Sequence, residues 1–127
     1  MLPNFLLSET VARQDGTGSP LALAGAAGKP LLLTLGITSI IEQESLDVAI
    51  YGSSDGETWS DKPLVGFPQK FYCGTYALLL DLSNNPEVKY IRAQWKMNRW
   101  GRGEPKPMFG FYVFTQEAAN VATRAVA

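Results

Sequence analysis

The segment LDVAIYGSSDGETWSD, residues 46–61, decides the fold class of this 127-residue chain. In its first half, Leu46, Val48 and Ile50 alternate with polar or smaller residues. Successive side chains of a β-strand point to opposite faces of the sheet. The alternation therefore predicts a strand with one buried face and one solvated face, which is typical of antiparallel sheets.

The second half of the same segment predicts a hairpin. Asp55-Gly56 is a strong signal for a two-residue type I′ turn, in which both central residues have positive φ. This turn pairs Gly52 with Trp59 and places Trp59 on the face of Leu46, where its ring covers the glycine. Turn chemistry explains the segment without a ligand, so we interpret Gly52, Asp55, Gly56 and Trp59 as structural.

The rest of the chain extends the β pattern. KYIRAQWKMNR (89–99) alternates in the same way, whereas KFYCGTYALLLDL (70–82) and MFGFYVF (108–114) are apolar on both faces. Gly-, Pro- and Asn-rich turns separate these runs and give about eight strands at short spacing, which predicts an antiparallel two-sheet β-sandwich or jelly roll. We expect one domain, 1–127, with a core at about 30–116, an N-terminal arm (1–29) and an extended or short-helical C-terminal tail (117–127).

Composition argues against catalysis. The chain has no histidine, one cysteine and a formal net charge of −1. It therefore lacks the commonest general base and metal ligand, cannot form an intramolecular disulfide, and has no electrostatic reason to bind nucleic acid. Asp55, Glu57 and Asp61 could be calcium ligands, but alternation separates their directions. We expect a non-enzymatic protein without metal or cofactor, and a buried Cys73.

No targeting segment is evident. The start of the chain lacks a basic region, and the longest apolar run, 30–41, is shorter than the ~20 residues of a membrane-spanning helix. We therefore expect no membrane span and an intracellular or particle-associated location.

A family resemblance rests on two motifs. SSDGETWS (53–60), followed by VKYIRAQW (88–95), resembles the Ser-x-Asp-Gly-x-x-Trp hairpin and Lys/Arg-Tyr-Ile/Val-Arg strand of discoidin-type β-sandwiches, the coagulation-factor C-type, galactose-binding-like modules. The resemblance covers about residues 37–114. It implies a jelly-roll fold and binding of glycans or lipid head groups through loops at one end.

The loop NRWGRGEPKP, residues 98–107, holds the candidate ligand-binding residues Arg99, Trp100 and Arg102. An exposed tryptophan can stack on a sugar ring while arginines bind hydroxyls, phosphates or carboxylates. The alternative is that Trp100 packs over one end of the sandwich while the arginines pair with the acidic hairpin.

Charge is segregated along the chain. Residues 42–61 contain six acids and no base, and residues 89–106 contain six bases and one acid. The two segments either neutralise each other across neighbouring strands or lie apart and guide contacts between copies. The candidate assembly-surface residues are Glu42, Glu44, Asp47, Arg92, Lys96, Tyr112 and Phe114.

Two functions fit these observations. The first is a structural protein that self-assembles as a homo-oligomer into a particle, sheath or filament, such as a phage-like coat, tail or decoration subunit, because its strands carry more apolar surface than one sandwich hides. The second is a discoidin-like module that recognises glycan or lipid head groups through the Trp100 loop.

Overall fold

A computed structural model describes residues 2–41, 44–99 and 107–118. These residues form nine strands and one short 3-10 helix, Ala24–Ala26, which confirms the predicted all-β class. The strands are β1 (Asn4–Ala12), β2 (Gly16–Thr17), β3 (Leu21–Ala22), β4 (Pro30–Ile40), β5 (Glu44–Ser53), β6 (Val65–Gly66), β7 (Gly74–Asp81), β8 (Tyr90–Arg99) and β9 (Phe109–Glu117).

The strands form two antiparallel sheets that pack face to face. The four-stranded sheet has the order β1-β9-β4-β7. The five-stranded sheet has the order β2-β8-β5-β6, and β3 also pairs with β8. The protein is thus a β-sandwich, as the alternation predicted. No helix in the described residues is long and apolar enough to cross a membrane.

The core lies between the inner faces of the sheets. The ring of Trp95, on β8, meets the ring of Phe111, on β9, edge to face at 5.5 Å between centroids, and so joins the two sheets. Leu46, Val48 and Ile50 of β5 are each at most 2% exposed, as the alternation predicted. Leu31, Leu33 and Leu35 of β4 are fully buried as well.

The core is wider than the sequence suggested, because the first 29 residues contribute strands to both sheets. β1 pairs with β9, and β2 and β3 pair with β8. Leu6 is 4% exposed and Leu23 is 1% exposed. The segment interpreted as an arm is therefore part of the sandwich up to the start of β4. Of the expected tail, residues 119–127 lie outside the described residues.

The turn after β5 is longer than the two-residue hairpin that we predicted. Gly56 has a φ of 81°, but Asp55 lacks the positive φ that a type I′ turn requires. The backbone N–H of Ser60 donates to the carbonyl oxygen of Gly52 at 3.1 Å, and pairing resumes only at β6. The Oγ of Ser53 accepts from the N–H groups of Asp55 and Gly56, so local side-chain hydrogen bonds outcompete the tight turn.

The predicted cover of Gly52 by Trp59 is wrong. A methyl group at Gly52 would lie 2.7 Å from Cδ1 of Leu64 and 3.0 Å from Cγ1 of Val88, so these two side chains cover the glycine. Trp59 instead stacks against Arg92, with the guanidinium carbon 4.2 Å from the ring centre. Arg92 alternates with buried residues on β8, which places Trp59 on the outer face of the five-stranded sheet.

Candidate functional site

The predicted ligand-binding loop is only partly within the described residues. Arg99 ends β8, is half-buried, and lies opposite Glu44 in the strand register. Trp100 and Arg102 lie outside the described residues. Recognition through this loop therefore stays a prediction.

Glu44 is not an assembly-surface residue, because it is 1% exposed. Its Oε2 accepts a hydrogen bond from the backbone N–H of Ile41 at 3.0 Å, and its Oε1 accepts one from Met108 at 2.8 Å. The carboxylate thus joins the end of β4 to the start of β9. A buried carboxylate is retained where backbone donors satisfy it, which explains why this acid faces inward. Glu42 lies outside the described residues.

The acidic and basic segments lie side by side. β5 and β8 are antiparallel neighbours, with Asp47 opposite Lys96 and Tyr51 opposite Arg92. Opposite charges on directly facing residues stabilise a sheet locally. The arrangement favours the first of the two alternatives, neutralisation within one subunit.

Tyr112 and Phe114 lie on the outer face of the four-stranded sheet, together with an aromatic residue that sequence reasoning missed. Phe5 of β1 pairs with Phe114 of β9, and its ring lies 5.0 Å from that of Phe114 and 5.7 Å from that of Tyr112. Phe5 is 46% exposed. The missed signal was the apolar run FLL at residues 5–7, which we assigned to an arm instead of a strand.

Aliphatic residues extend this surface towards the opposite edge of the sheet. Leu32 of β4 pairs with Leu79 of β7, and Leu79 is 54% exposed. Ala77 of β7 is exposed on the same face. The double apolarity of the run at 70–82 is thus real, and its second face is open to solvent. We call these residues the outer apolar face: Phe5, Leu32, Ala77, Leu79, Tyr112 and Phe114.

An open groove of about 450 Å³ lies on the outer face of the five-stranded sheet. Ala49 and Gln94 face each other at its middle, between Tyr51 on one side and the Asp47–Lys96 pair on the other. Gly16 and Thr17 of β2 line its edge. The groove exists because the side chain of Ala49 is small. The side chains around it provide an aromatic ring, an amide, an acid and a base. Such a surface suits a polar ligand.

Asp55 directs its carboxylate to its own turn. Its Oδ1 accepts hydrogen bonds from the N–H groups of Thr58 and Glu57, both at 2.8 Å, and from the Oγ of Ser53 at 3.0 Å. These bonds stabilise the charged form and lower the pKa of Asp55 from 3.8 to about 2. Among the described residues, no three histidine, cysteine or acidic side chains cluster as metal ligands would.

Cys73 is exposed, which corrects our expectation that it is buried. It precedes β7 in a bend, so the period-two pattern of the following strand does not extend back to it.

Comparison with known proteins adds no identification. No model of a known protein family matches this chain, and no curated protein resembles it at a significant level. The discoidin resemblance therefore rests on the two motifs alone.

Proposed function

We propose that this protein is a non-enzymatic structural subunit that self-assembles into a larger particle, sheath or filament. The observation that carries the proposal is the outer apolar face. Three aromatic rings and three aliphatic side chains share the outer side of a sheet whose inner face is already used by the core. Two polar residues lie on the same side: Thr34, which pairs with both Ala77 and Phe114, and Gln116, which pairs with Leu32.

The physical argument is the cost of leaving such a face in water. Burial of one phenylalanine or leucine side chain is worth about 1.5–3 kcal/mol, and clustered apolar patches on soluble domains commonly mark interaction surfaces. Phe5 and Leu79 are each about half exposed in the single chain. A second subunit that covers this face removes both from water at once.

A phage-like coat, tail or decoration subunit is the kind of assembly we favour. The histidine-free composition and the near-neutral charge are consistent with a protein that works by contact rather than by chemistry.

The test is the mass of the purified protein in solution, measured by size-exclusion chromatography with light scattering and imaged by negative stain. We expect a species larger than a monomer. Phe5→Asp introduces charge into the outer apolar face and is expected to reduce the mass. Tyr51→Asp places the same charge on the outer face of the other sheet and serves as the control. A monomeric wild type at high concentration contradicts the proposal.

A discoidin-like binding module is the second candidate, and the groove beside Tyr51 favours it. Here the ligand is a glycan or a lipid head group, held by the Trp100 loop, by the groove, or by both. A glycan array and liposome pelleting test this function, with Trp100→Ala and Tyr51→Ala as separate variants. Absence of binding by the wild type, or binding that neither variant weakens, eliminates this candidate.

A further inference from the structure

β7 is the end strand of the four-stranded sheet. Within residues 2–41, 44–99 and 107–118, it pairs only with β4. In that part of the chain, no strand pairs with the backbone N–H and C=O groups on the other side of β7. Such an edge is a template for pairing with another chain, and proteins normally protect their edges against it.

The other sheet edges of this molecule carry recognised forms of protection. β2, β3 and β6 are two residues long, and short edge strands offer little to pair with. β1 has the length to act as a template, but its register against β9 shifts between Phe5 and Leu7 and again between Leu7 and Thr10. Such bulges twist a strand out of the flat geometry that pairing requires.

β7 has none of these features. Eight consecutive residues, Gly74 to Asp81, pair with β4 without a register shift. The strand GTYALLLD contains no lysine and no proline, and its single charge is at the last position. The edge is long, regular and apolar, and on its outer face Leu79 is 54% exposed.

We propose that β7 pairs antiparallel with β7 of a second copy, so that two four-stranded sheets join into one continuous sheet. This inference rests on the proposed self-assembly and names one of its interfaces. A twofold axis perpendicular to the sheet relates the copies, and each supplies the same strand to the contact.

The strand is complementary to itself in this arrangement. With the axis at Leu78, Ala77 faces the partner's Leu79, and Asp81 faces the partner's Thr75. With the axis at Ala77, Ala77 of one subunit faces the same residue of the second subunit. Both registers keep inner residues beside inner residues, and neither sets two like charges opposite each other.

Edge pairing also places the outer apolar faces of two subunits side by side. A twofold edge contact by itself closes a dimer. Growth beyond the dimer then uses the enlarged apolar face, so the two surfaces have separate roles: the edge makes the pair, and the face stacks pairs.

The first experiment introduces a lysine into the edge. Leu79→Lys should raise the concentration at which the protein dissociates by about tenfold or more, because two lysines then lie near the axis and leucine contacts are lost. Val11→Lys is the control for the edge, since Val11 is 65% exposed on the opposite, bulged edge strand. Leu32→Lys is the control for the outer apolar face, since Leu32 pairs with Leu79 but lies on the interior strand β4. Equal dissociation by Leu79→Lys and either control variant contradicts a contact specific to β7.

The second experiment traps the pair covalently and does not depend on the lysine variant. In a Cys73→Ser background, Ala77→Cys and Leu79→Cys are oxidised separately and as a mixture, with Val11→Cys as the control. Pairing at Ala77 gives a disulfide dimer from Ala77→Cys alone, and pairing at Leu78 gives a mixed dimer from Ala77→Cys with Leu79→Cys. Geometry across antiparallel strands permits only these combinations to react readily.

The outcomes separate this inference from the proposed function. Assembly that persists in Leu79→Lys, without a disulfide at either register, overturns the edge pairing and leaves self-assembly standing. Disulfide trapping in a protein that never grows beyond a dimer supports the edge pairing and overturns the larger assembly. A monomer that no cysteine pair traps overturns both.

Discussion

Glu44 is a buried carboxylate that ties two separate parts of the chain together. The N–H groups of Ile41 and Met108 each have one of its oxygens as acceptor. Both donors belong to backbone at a strand end, where ladder hydrogen bonds stop. The side chain therefore completes the hydrogen bonding of the sheet rather than serving a ligand.

We expect Glu44→Ala to lower the free energy of unfolding by about 2–4 kcal/mol, because two part-buried N–H groups lose their acceptors. Denaturant unfolding followed by tryptophan fluorescence measures the change. Glu57→Ala removes an exposed carboxylate in the turn and should change stability by less than about 0.5 kcal/mol. Similar values for the two variants would show that the buried contacts of Glu44 contribute nothing.

Asp55 links stability to pH. Its pKa is about 2 in the folded protein and 3.8 in the absence of these hydrogen bonds. Since the folded pKa is the lower one, the stabilisation is present above pH 3.8 and is lost as the pH falls towards 2. The hydroxyl and N–H of Ser83 likewise lower the pKa of Asp81. Protonation of either carboxylate, Asp55 or Asp81, therefore lowers stability at acid pH.

We predict that the free energy of unfolding decreases from pH 4 to pH 2, and that the decrease is shallower in Asp55→Asn. The amide oxygen of asparagine still accepts hydrogen bonds but does not titrate in this range. Unfolding curves at several pH values measure the two slopes. Parallel slopes would mean that Asp55 does not contribute to the acid sensitivity.

Paired strands do place aromatic rings over glycines, but not over Gly52, where we predicted such a contact. The ring of Tyr112 on β9 lies over Gly36, its register partner on β4. Trp95 on β8 likewise lies over Gly16, its partner on β2. The device that we predicted within one hairpin thus operates between strands far apart in sequence.

Gly16→Ala is expected to lower the free energy of unfolding by about 1–3 kcal/mol, because the ring of Trp95 cannot stay where it is. The new methyl group would lie 2.5 Å from Cζ2 of Trp95, whose Nε1 donates to the carbonyl of Gln14 and whose ring packs on Phe111. Near-ultraviolet circular dichroism and denaturant unfolding report the change.

Gly18→Ala is the control for that experiment. A methyl group there would meet its nearest atom, Cδ1 of Leu7, at an ordinary 3.4 Å. We expect a change below about 0.5 kcal/mol and an unaltered tryptophan signal. If both variants behave alike, the contact with Trp95 does not hold β2 in place.

At the scale of the whole molecule, charge and apolar surface are distributed differently over the two sheets. The five-stranded sheet carries Asp47 opposite Lys96 on its outer side, and the four-stranded sheet carries the outer apolar face. One side is therefore suited to water or a polar ligand, and the other is suited to a second protein surface.

The charge arrangement predicts a specific rescue. Lys96→Asp sets two acids opposite each other and should lower the free energy of unfolding by about 0.2–1 kcal/mol, and adding Asp47→Lys should restore it. The mass of the assembly should stay unchanged in both variants, because the pair acts within one subunit. A smaller assembly in the single variant, restored in the double, would instead place this pair between copies.

The sequence by itself determined the fold class and the faces of the strands. Alternation at 46–51 and 89–99 predicts correctly which side chains face the core, because a strand of period two directs every second residue to one side. Burial is complete as far as Ala93, whereas Trp95 and Met97 are half-buried. The run at 70–82 is apolar on both faces, which indicated a second apolar face but left open whether the chain itself or another subunit covers it; in the structure Ala77 and Leu79 on that face are exposed.

Only the tertiary structure decided which strands pair and which side chains face each other. It brought β1 into the sandwich, set the acidic strand against the basic one, buried Glu44, and left β7 at the edge of its sheet among the described residues. These features depend on pairing between residues far apart in the chain. Such pairing depends on the register between distant strands, which no short stretch of sequence specifies. It also depends on whether local side-chain hydrogen bonds, such as those of Ser53 and Asp55, replace backbone pairing in a turn.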